Sequence, residues 1–498
     1  MDLVLKGHRL EVYPKDMIDN MIMPSIETRS MTFSDLRRSG RAMTIPDKRF
    51  FHKMKDRSMY IFASTQLPDI KKFLDNNDIK YTLTVVDRDY SGVKASIEIK
   101  EGMKLRDNLQ REYSVFLDQK LPSILCNLQT GKGKTGSTII SLLKRTDKFR
   151  LAGLIPPRHQ ITWIEALLKF TTIDSNQILI VSGRSNLCKL NELSDDIQVV
   201  ILSPATIREY VKSYLEGDEI PFPPEKIMEF IGSEDLIIDE THEDFGGNYL
   251  NVLALNPKRF IALTASYSSR SDSDKIKKFK RYFIPDINRL PEAELSKYIN
   301  IVFCQYKLEN PTKVQHKNDI TGWYNHPIYE QSILDVESFK ESYFRMIIWF
   351  TRQYYDNKHR LLFLFYRINI CIEFQEWLIE NNIFKDKTIS MFISGDKNKE
   401  NLKSDIVIST GQSGGTGIDI ENLQTTVNTI NTGSDYSCIQ YSGRNREMKD
   451  VEQYFLTLSA TNIQAHMAYL RSNRELYEDR AKNLFLNYFT EGNVCSIE

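Results

Sequence analysis

Short aliphatic and β-branched runs, each bounded by polar residues, recur from about residue 124 onward, and they restrict the fold more than any other property of the chain. They read "SILCNL", "LAGLIP", "QILIVSG", "QVVILS", "DLIIDE" and "RFIALTAS", then later "RLLFLFY", "ISMFI", "SDIVIST" and "TTVNTIN". Helix-like segments lie between several of them, among them "KTGSTIISLLKR", "RHQITWIEALLKF" and "NICIEFQEWLIENN". A strand that is apolar throughout is buried on both faces, and alternation with helices supplies the crossovers that parallel strands need. Two such series predict two parallel-sheet α/β domains, residues 96–305 and 331–461. The irregular "LENPTKVQHKNDITGWYNHPIYEQ" between them reads as a linker or insertion at 306–330. Residues 1–95 differ: strand-like "MYIFAS" and "YTLTVVD" flank helix-like "LPDIKKFLDNND", which predicts a small α+β domain. Residues 462–498, rich in Leu, Ala, Arg and Glu, read as a helical tail.

With 498 residues the chain exceeds one ordinary core, since domains usually hold about 100 to 200 residues. Lys and Arg together number 66, as do Asp and Glu, so a polyanionic partner must be held by a local basic patch and not by the field of the whole chain. The six cysteines are scattered singly, without CxxC pairs, and read as reduced thiols. The first residues lack a charged-then-apolar signal layout, and no apolar run approaches the roughly 18 residues of a membrane helix, so the expectation is a soluble cytoplasmic chain with no membrane partner.

"LQTGKGKTGS" follows one predicted strand and opens a predicted helix, the geometry in which backbone N–H groups cradle phosphates. In its core, Thr130, Gly131, Lys132, Gly133, Lys134 and Thr135, the two glycines let the loop curl around a phosphate. Lys134 supplies a point charge for the β/γ-phosphates and Thr135 a hydroxyl ligand for Mg²⁺. Leu128 stands where the general GxxxxGK[ST] pattern has its first glycine, so the string is a TGxGKT variant. Farther along, an apolar strand runs into Asp239-Glu240-Thr241-His242. An acid at a strand's carboxyl end can hold Mg²⁺ and its neighbour can orient and deprotonate a water, which makes Asp239 the metal carboxylate and Glu240 the base. His242 either senses a γ-phosphate or caps the next turn.

"TGKGKT", "DETH", "TAS" at Thr264 to Ser266, "GGTGIDIENLQ" and "QYSGRNRE" stand in the order of the helicase motifs of superfamily 2, and the chain resembles a DExH-type DNA/RNA helicase of that superfamily over roughly residues 100 to 460. The resemblance implies two RecA-like domains that close on ATP. It assigns Gly417 and Asp419 to coupling nucleic acid to ATP, Gln440, Arg444 and Arg446 to the phosphates, and Thr264 and Ser266 to coupling hydrolysis to movement. It also implies that "LRDNLQREYSVFL" holds the adenine-reading glutamine, Gln110, and that Pro157 and Arg158 in "LIPPRHQITW" touch a nucleic-acid backbone. The family pattern QxxGRxxR sets its arginines three apart; here they are two apart, and Glu447 takes the second arginine's place. Positions i and i+2 of a helix diverge by roughly 200°, so either the segment is not helical or only one arginine reaches ATP.

Between residues 37 and 57, Arg37, Arg38, Arg41, Lys48, Arg49, Lys53, Lys55 and Arg57 outnumber two aspartates, with Phe50, Phe51 and Tyr60 interleaved or close by. Cations neutralise phosphates and exposed aromatics stack on bases; the alternative is a solvated basic face whose aromatics belong to a core. The following helix, turn and strand resemble the N-terminal DNA-binding domain of the phage helicase UvsW, and related viral helicases share the compact plan. A second basic stretch, "SDSDKIKKFKRYF", either extends a DNA track or is an exposed helix. The expectation is an ATP- and Mg²⁺-dependent DNA helicase or translocase acting as a monomer on branched, forked or single-stranded DNA, alongside replication, recombination or repair proteins. An RNA helicase or transcription-complex translocase is one alternative, and a DNA-binding or annealing module with a residual ATP site is the other.

Overall fold

The computed structural model describes the chain except at residues 39–40, 89, 129–131, 266, 271, 291–296, 320, 394–398, 415–419 and 495–498, and gives the backbone alone at 34–38, 41–45 and 399. The chain divides into two compact units, Met1–Ala293 and Glu294–Glu498.

In the first unit a six-stranded parallel sheet runs in the order Ile178–Val181, Val199–Leu202, Leu151–Leu154, Asp235–Ile238, Arg259–Thr264, Ser123–Asn127. Arg259–Thr264 shows why these runs are apolar without alternation. Phe260 and Ala262 enter the core on one face with Tyr210, Tyr249 and Phe279, while Ile261 and Leu263 enter the core on the other with Tyr113, Trp163 and Leu167.

An N-terminal α+β domain belongs to the same unit. Its five-stranded sheet, ordered His52–Lys53, Tyr60–Ala63, Arg9–Tyr13, Asp2–Lys6, Thr82–Val86, carries the helices Met17–Arg29 and Leu67–Asp75 over a core that includes Leu10, Val12, Met23 and Leu74. The hairpin Met31–Arg38 and Arg41–Arg49 stands outside that sheet and holds much of the basic stretch. Phe50, Phe51 and Tyr60 are buried, so stacking on bases is not their role. Phe50 instead crosses into the parallel-sheet core, its ring 4.0 Å from that of Phe279 and stacked on it.

The second unit is a seven-stranded parallel sheet, ordered Ile389–Phe392, Ile406–Thr410, Arg360–Phe365, Leu423–Asn428, Gln453–Ala460, Ile299–Tyr306, Ala481–Tyr488. Ile299–Tyr306, inside the range assigned above to the first α/β domain, is wholly buried between two strands of this sheet. The tail is not helical throughout: the helix Gln464–Glu478 is followed by the edge strand Ala481–Tyr488. Pairing with Ile299–Tyr306 overrides local composition there. The segment 306–330 is no free linker. It leads into the helix His326–Leu334, whose buried Glu330 accepts hydrogen bonds of 2.7 Å from both Tyr366 N and Arg367 N at the end of Arg360–Phe365. The fold is thus α/β, with two RecA-like parallel-sheet domains and a small N-terminal α+β domain. Among the described residues no helix is long and apolar enough to cross a membrane, and five cysteines are free thiols.

Candidate functional site

The glycine-containing segment between the strand Ser123–Asn127 and the helix Lys134–Leu143 carries the first group of candidate residues. Gly133 caps that helix at φ +77°, a left-handed conformation open to glycine at little cost. It also sits under two side chains: a Cβ there would lie 2.5 Å from Arg106 Nη2 and 2.7 Å from Gln110 Nε2. Gln110 is buried and braces the loop, its Nε2 donating to Lys132 O (2.8 Å) while its Oε1 accepts from Arg106 N (2.9 Å). Lys134 Nζ donates to Leu128 O at 3.1 Å, so the ammonium turns back over its own loop. Thr135 is half-buried on the first turn of that helix. Thr130 and Gly131 lie outside the described residues.

Asp239 follows the strand Asp235–Ile238 and is buried. Its Oδ2 accepts from the indole Nε1 of Trp163 at 2.8 Å, and its Oδ1 from Glu240 N at 3.0 Å. Burial pushes the carboxyl above the usual aspartate range, against the opposing pull of the Trp163 hydrogen bond and the Lys134 ammonium. Glu240 sits at φ +45°, unusual for a residue with a Cβ and common where a fold holds a side chain for use. Thr241 N donates to Leu263 O at 3.0 Å and fastens the acidic turn to the neighbouring strand. Thr264, at that strand's end, lies 2.6 Å through Oγ1 from His242 Nδ1, which is 3.4 Å from Glu240 Oε2. Burial holds the His242 imidazole well below its ordinary pKa and therefore neutral. Ser266 lies outside the described residues.

The donor set suits Mg²⁺. Asp239 and Thr135 offer hard oxygens, whereas the described residues hold no group of three or more His, Cys, Asp or Glu side chains that would make a self-sufficient metal cage. Mg²⁺ is ordinarily held by one or two such oxygens together with phosphates and water.

Sequence reading missed two partners. Trp163 lies in the quoted "RHQITW", but nothing local marks its indole as Asp239's donor. Glu243 pairs with Arg158 and stands 3.8 Å from His159 Nε2, so the arginine expected on a nucleic-acid backbone is already matched by a carboxylate. Pro157 begins the helix Pro157–Phe170 beside it. In the N-terminal basic stretch Lys53 pairs with Glu27 at 3.1 Å, Lys55 gives its backbone N–H to Leu215 O, and Arg57 occupies a turn at φ +59°. Lys48 and Arg49 are exposed. Arg37, Arg38 and Arg41 have described backbone only.

In the second unit the helix Asp435–Ser442 ends just after Gln440, whose Nε2 donates to Tyr436 Oη. Arg444 and Arg446 follow it in a non-helical segment, so the two-residue spacing is not a helical one. Arg444 is buried and turns back, Nε donating to Gln440 O at 3.3 Å. Asn445 is pinned by Thr426 Oγ1 (2.7 Å) and Gln424 O (2.9 Å), and Arg446 beyond it is half-exposed. Gly417 and Asp419 lie outside the described residues.

No known family model matches the chain, and no curated protein matches it. Solved structures do. A variant of S. cerevisiae Dbp5 bound to RNA and ADP BeF3 is 15% identical, with 76% of this chain and 89% of that one covered and a TM-score of 0.48. The helicase domain of Pyrococcus furiosus Hef is 14% identical, with 75% and 100% covered and a TM-score of 0.45. A fragment of a putative HsdR subunit of a type I restriction enzyme from Vibrio vulnificus is 11% identical, with 76% and 67% covered and a TM-score of 0.49.

Proposed function

We propose that the chain is an ATP-driven nucleic-acid translocase of the superfamily 2 helicase type, acting on branched or annealed DNA. The observation that carries this reading is the pairing, in one parallel sheet, of the Gly133–Lys134 phosphate loop with the buried Asp239–Glu240 turn that Trp163 and Thr241 hold in place. Gly133 leaves room for phosphate, and the N-terminus of the helix Lys134–Leu143 favours negative charge. On binding ATP, Lys134 Nζ exchanges the carbonyl of Leu128 for phosphate oxygens. Asp239 and Thr135 would hold Mg²⁺, which neutralises charge building on the phosphates. Glu240 accepts a proton from the attacking water at its carboxylate, and neutral His242 links that acid to Thr264. Gln110 supports the loop and faces the adenine in this reading, and Gln440, Arg444 and Arg446 are read as phosphate-binding residues. The partial exposure of Arg446 favours it over buried Arg444 as the arginine for the γ-phosphate.

The exposed Lys48 and Arg49, with the hairpin that bears Arg37, Arg38 and Arg41, are the proposed DNA contacts; the pairings of Lys53 and Arg158 make those two weaker choices. A role on RNA or on transcription complexes would use the same ATP site. Steady-state ATPase with no nucleic acid, single strands, duplexes, four-way junctions and RNA separates these readings. Junctions or forks are expected to stimulate most, and Lys134→Ala and Arg446→Ala to lower turnover by at least about 100-fold, since phosphoryl-transfer arginines contribute 10³ to 10⁵ elsewhere. Stimulation by RNA alone would favour the RNA reading. Full turnover in Lys134→Ala would remove the ATP-site assignment.

A further inference from the structure

Within the first unit, three helices of two domains converge on a cleft of about 530 Å³. The helix Leu67–Asp75 buries Ile70 and Leu74 in the N-terminal core and turns Asp69, Lys72 and Phe73 into the cleft; Asn76, just past its end, continues that face at the i, i+3, i+4, i+7 spacing. Facing it, the helix Asp274–Phe283 contributes Lys275, Lys278 and Tyr282, again three and seven residues apart. The last turn of Met17–Arg29 adds Arg29.

Four cations therefore line the cleft against one carboxylate, Asp69. That carboxylate is committed to Lys278 at 2.6 Å and accepts from the Tyr282 hydroxyl as well. Lys275 donates to Thr28 O at 3.1 Å, Arg29 lies 4.4 Å over the Phe73 ring, and neither they nor Lys72 has a carboxylate within ion-pair distance among the described residues. Partial burial, then the neighbouring Lys278, lowers the pKa of Lys275, as expected of a cation that lacks an anion. Three uncompensated cations, one from each of the three helices, beside two aromatic rings match a strand of alternating phosphates and bases better than a compact anion.

We propose that this cleft holds a single-stranded segment of nucleic acid, its phosphates on Arg29, Lys72 and Lys275 and a base against Phe73 or Tyr282. The proposal rests on the nucleic-acid reading above. It gives the basic helix Asp274–Phe283 a function as one wall of a groove, and it places the N-terminal domain's contribution on its helices as well as on its hairpin.

Fluorescence anisotropy of a labelled oligothymidylate of about 20 nucleotides, titrated with full-length protein at several salt concentrations, tests it. Each phosphate contact on a single strand adds about 0.7 to the slope of log K against log salt. The combined Arg29→Ala, Lys72→Ala, Lys275→Ala variant is expected to reduce that slope by about 2 and to weaken binding at least about tenfold near 0.1 M salt. Lys72→Glu alone removes no described side-chain bond and is expected to weaken binding about fivefold, whereas Lys189→Glu, an exposed charge reversal outside the cleft, is expected to leave it unchanged. Wild-type slope and affinity in both cleft variants would overturn the cleft and leave the function standing. No binding of any nucleic acid by the wild-type protein would overturn both. Thermal stabilisation by pyrophosphate that disappears in the triple variant while strand affinity is retained would replace the strand with a small phosphorylated ligand.

Discussion

Trp163 donates its indole N–H from the helix Pro157–Phe170 to Asp239 at the end of the strand Asp235–Ile238, and that bond fixes the orientation of a buried carboxylate. A hydrogen bond to a charged group contributes about 1.5 to 3 kcal/mol, and losing the donor leaves the acceptor's desolvation uncompensated. Trp163→Phe is therefore expected to lower stability by about 2 to 4 kcal/mol, part of it from lost packing. A double-mutant cycle with Asp239→Ala isolates the bond: the cost of Trp163→Phe should shrink by about 1 to 3 kcal/mol when the carboxylate is already gone. Urea unfolding of the four proteins checks this, and costs that add to within about 0.5 kcal/mol would mean the bond contributes nothing. The placement of Asp239 and Glu240 at a strand's carboxyl end was legible in sequence because acids after an apolar strand form a local pattern. Trp163 and Glu243 were not, because their roles come from neighbours on other elements.

The strand, loop and helix from Ser123 to Leu143 show at the next scale how one backbone conformation fixes a site. Gly133 is left-handed and overhung by Arg106 and Gln110, so Gly133→Ala meets two penalties at once. The left-handed conformation costs an L-residue about 1 to 2 kcal/mol, and the new methyl must displace Gln110 Nε2 from its bond to Lys132 O. The expected result is a stability loss of about 1 to 2 kcal/mol with ATP affinity reduced tenfold or more, read by denaturation and by a fluorescent nucleotide analogue. If affinity is unchanged, the loop does not need this curl. Most strands of both sheets were legible for the reason seen in Arg259–Thr264: burial on two faces leaves an unbroken apolar run. Ala481–Tyr488 is an edge strand with mostly exposed side chains, so the run is absent and its pairing with Ile299–Tyr306 defines it. Glu330 was hidden in a stretch of linker-like composition, yet it caps two backbone N–H groups in the second unit.

At the scale of the first unit, the N-terminal core joins the parallel-sheet core through a seam that contains Phe50, buried His52 and half-buried His8. His52 Nε2 lies 2.8 Å from Leu250 O, and the His8 ring packs edge-on against Phe260 at 4.9 Å. Loss of hydration in this seam pushes each imidazole down to about 4. An unfolded histidine takes up its proton near pH 6.5, so between pH 6.5 and about 4 the unfolded chain binds more protons than the folded one, and stability falls as pH falls. Above pH 6.5 neither state is protonated at these sites and their contribution is flat. One pKa unit corresponds to 1.36 kcal/mol, so lowering the pH from 7 to 5 should cost about 2 kcal/mol for each histidine. The loss should appear in the unfolding transition of the first unit, because both rings report on docking of the N-terminal domain against the parallel sheet. A His8→Gln, His52→Gln protein should start less stable at pH 7 but lose about 4 kcal/mol less on going to pH 5. Equal pH slopes for the two proteins in urea unfolding would show that the histidines are hydrated and that the seam is looser than its packing implies.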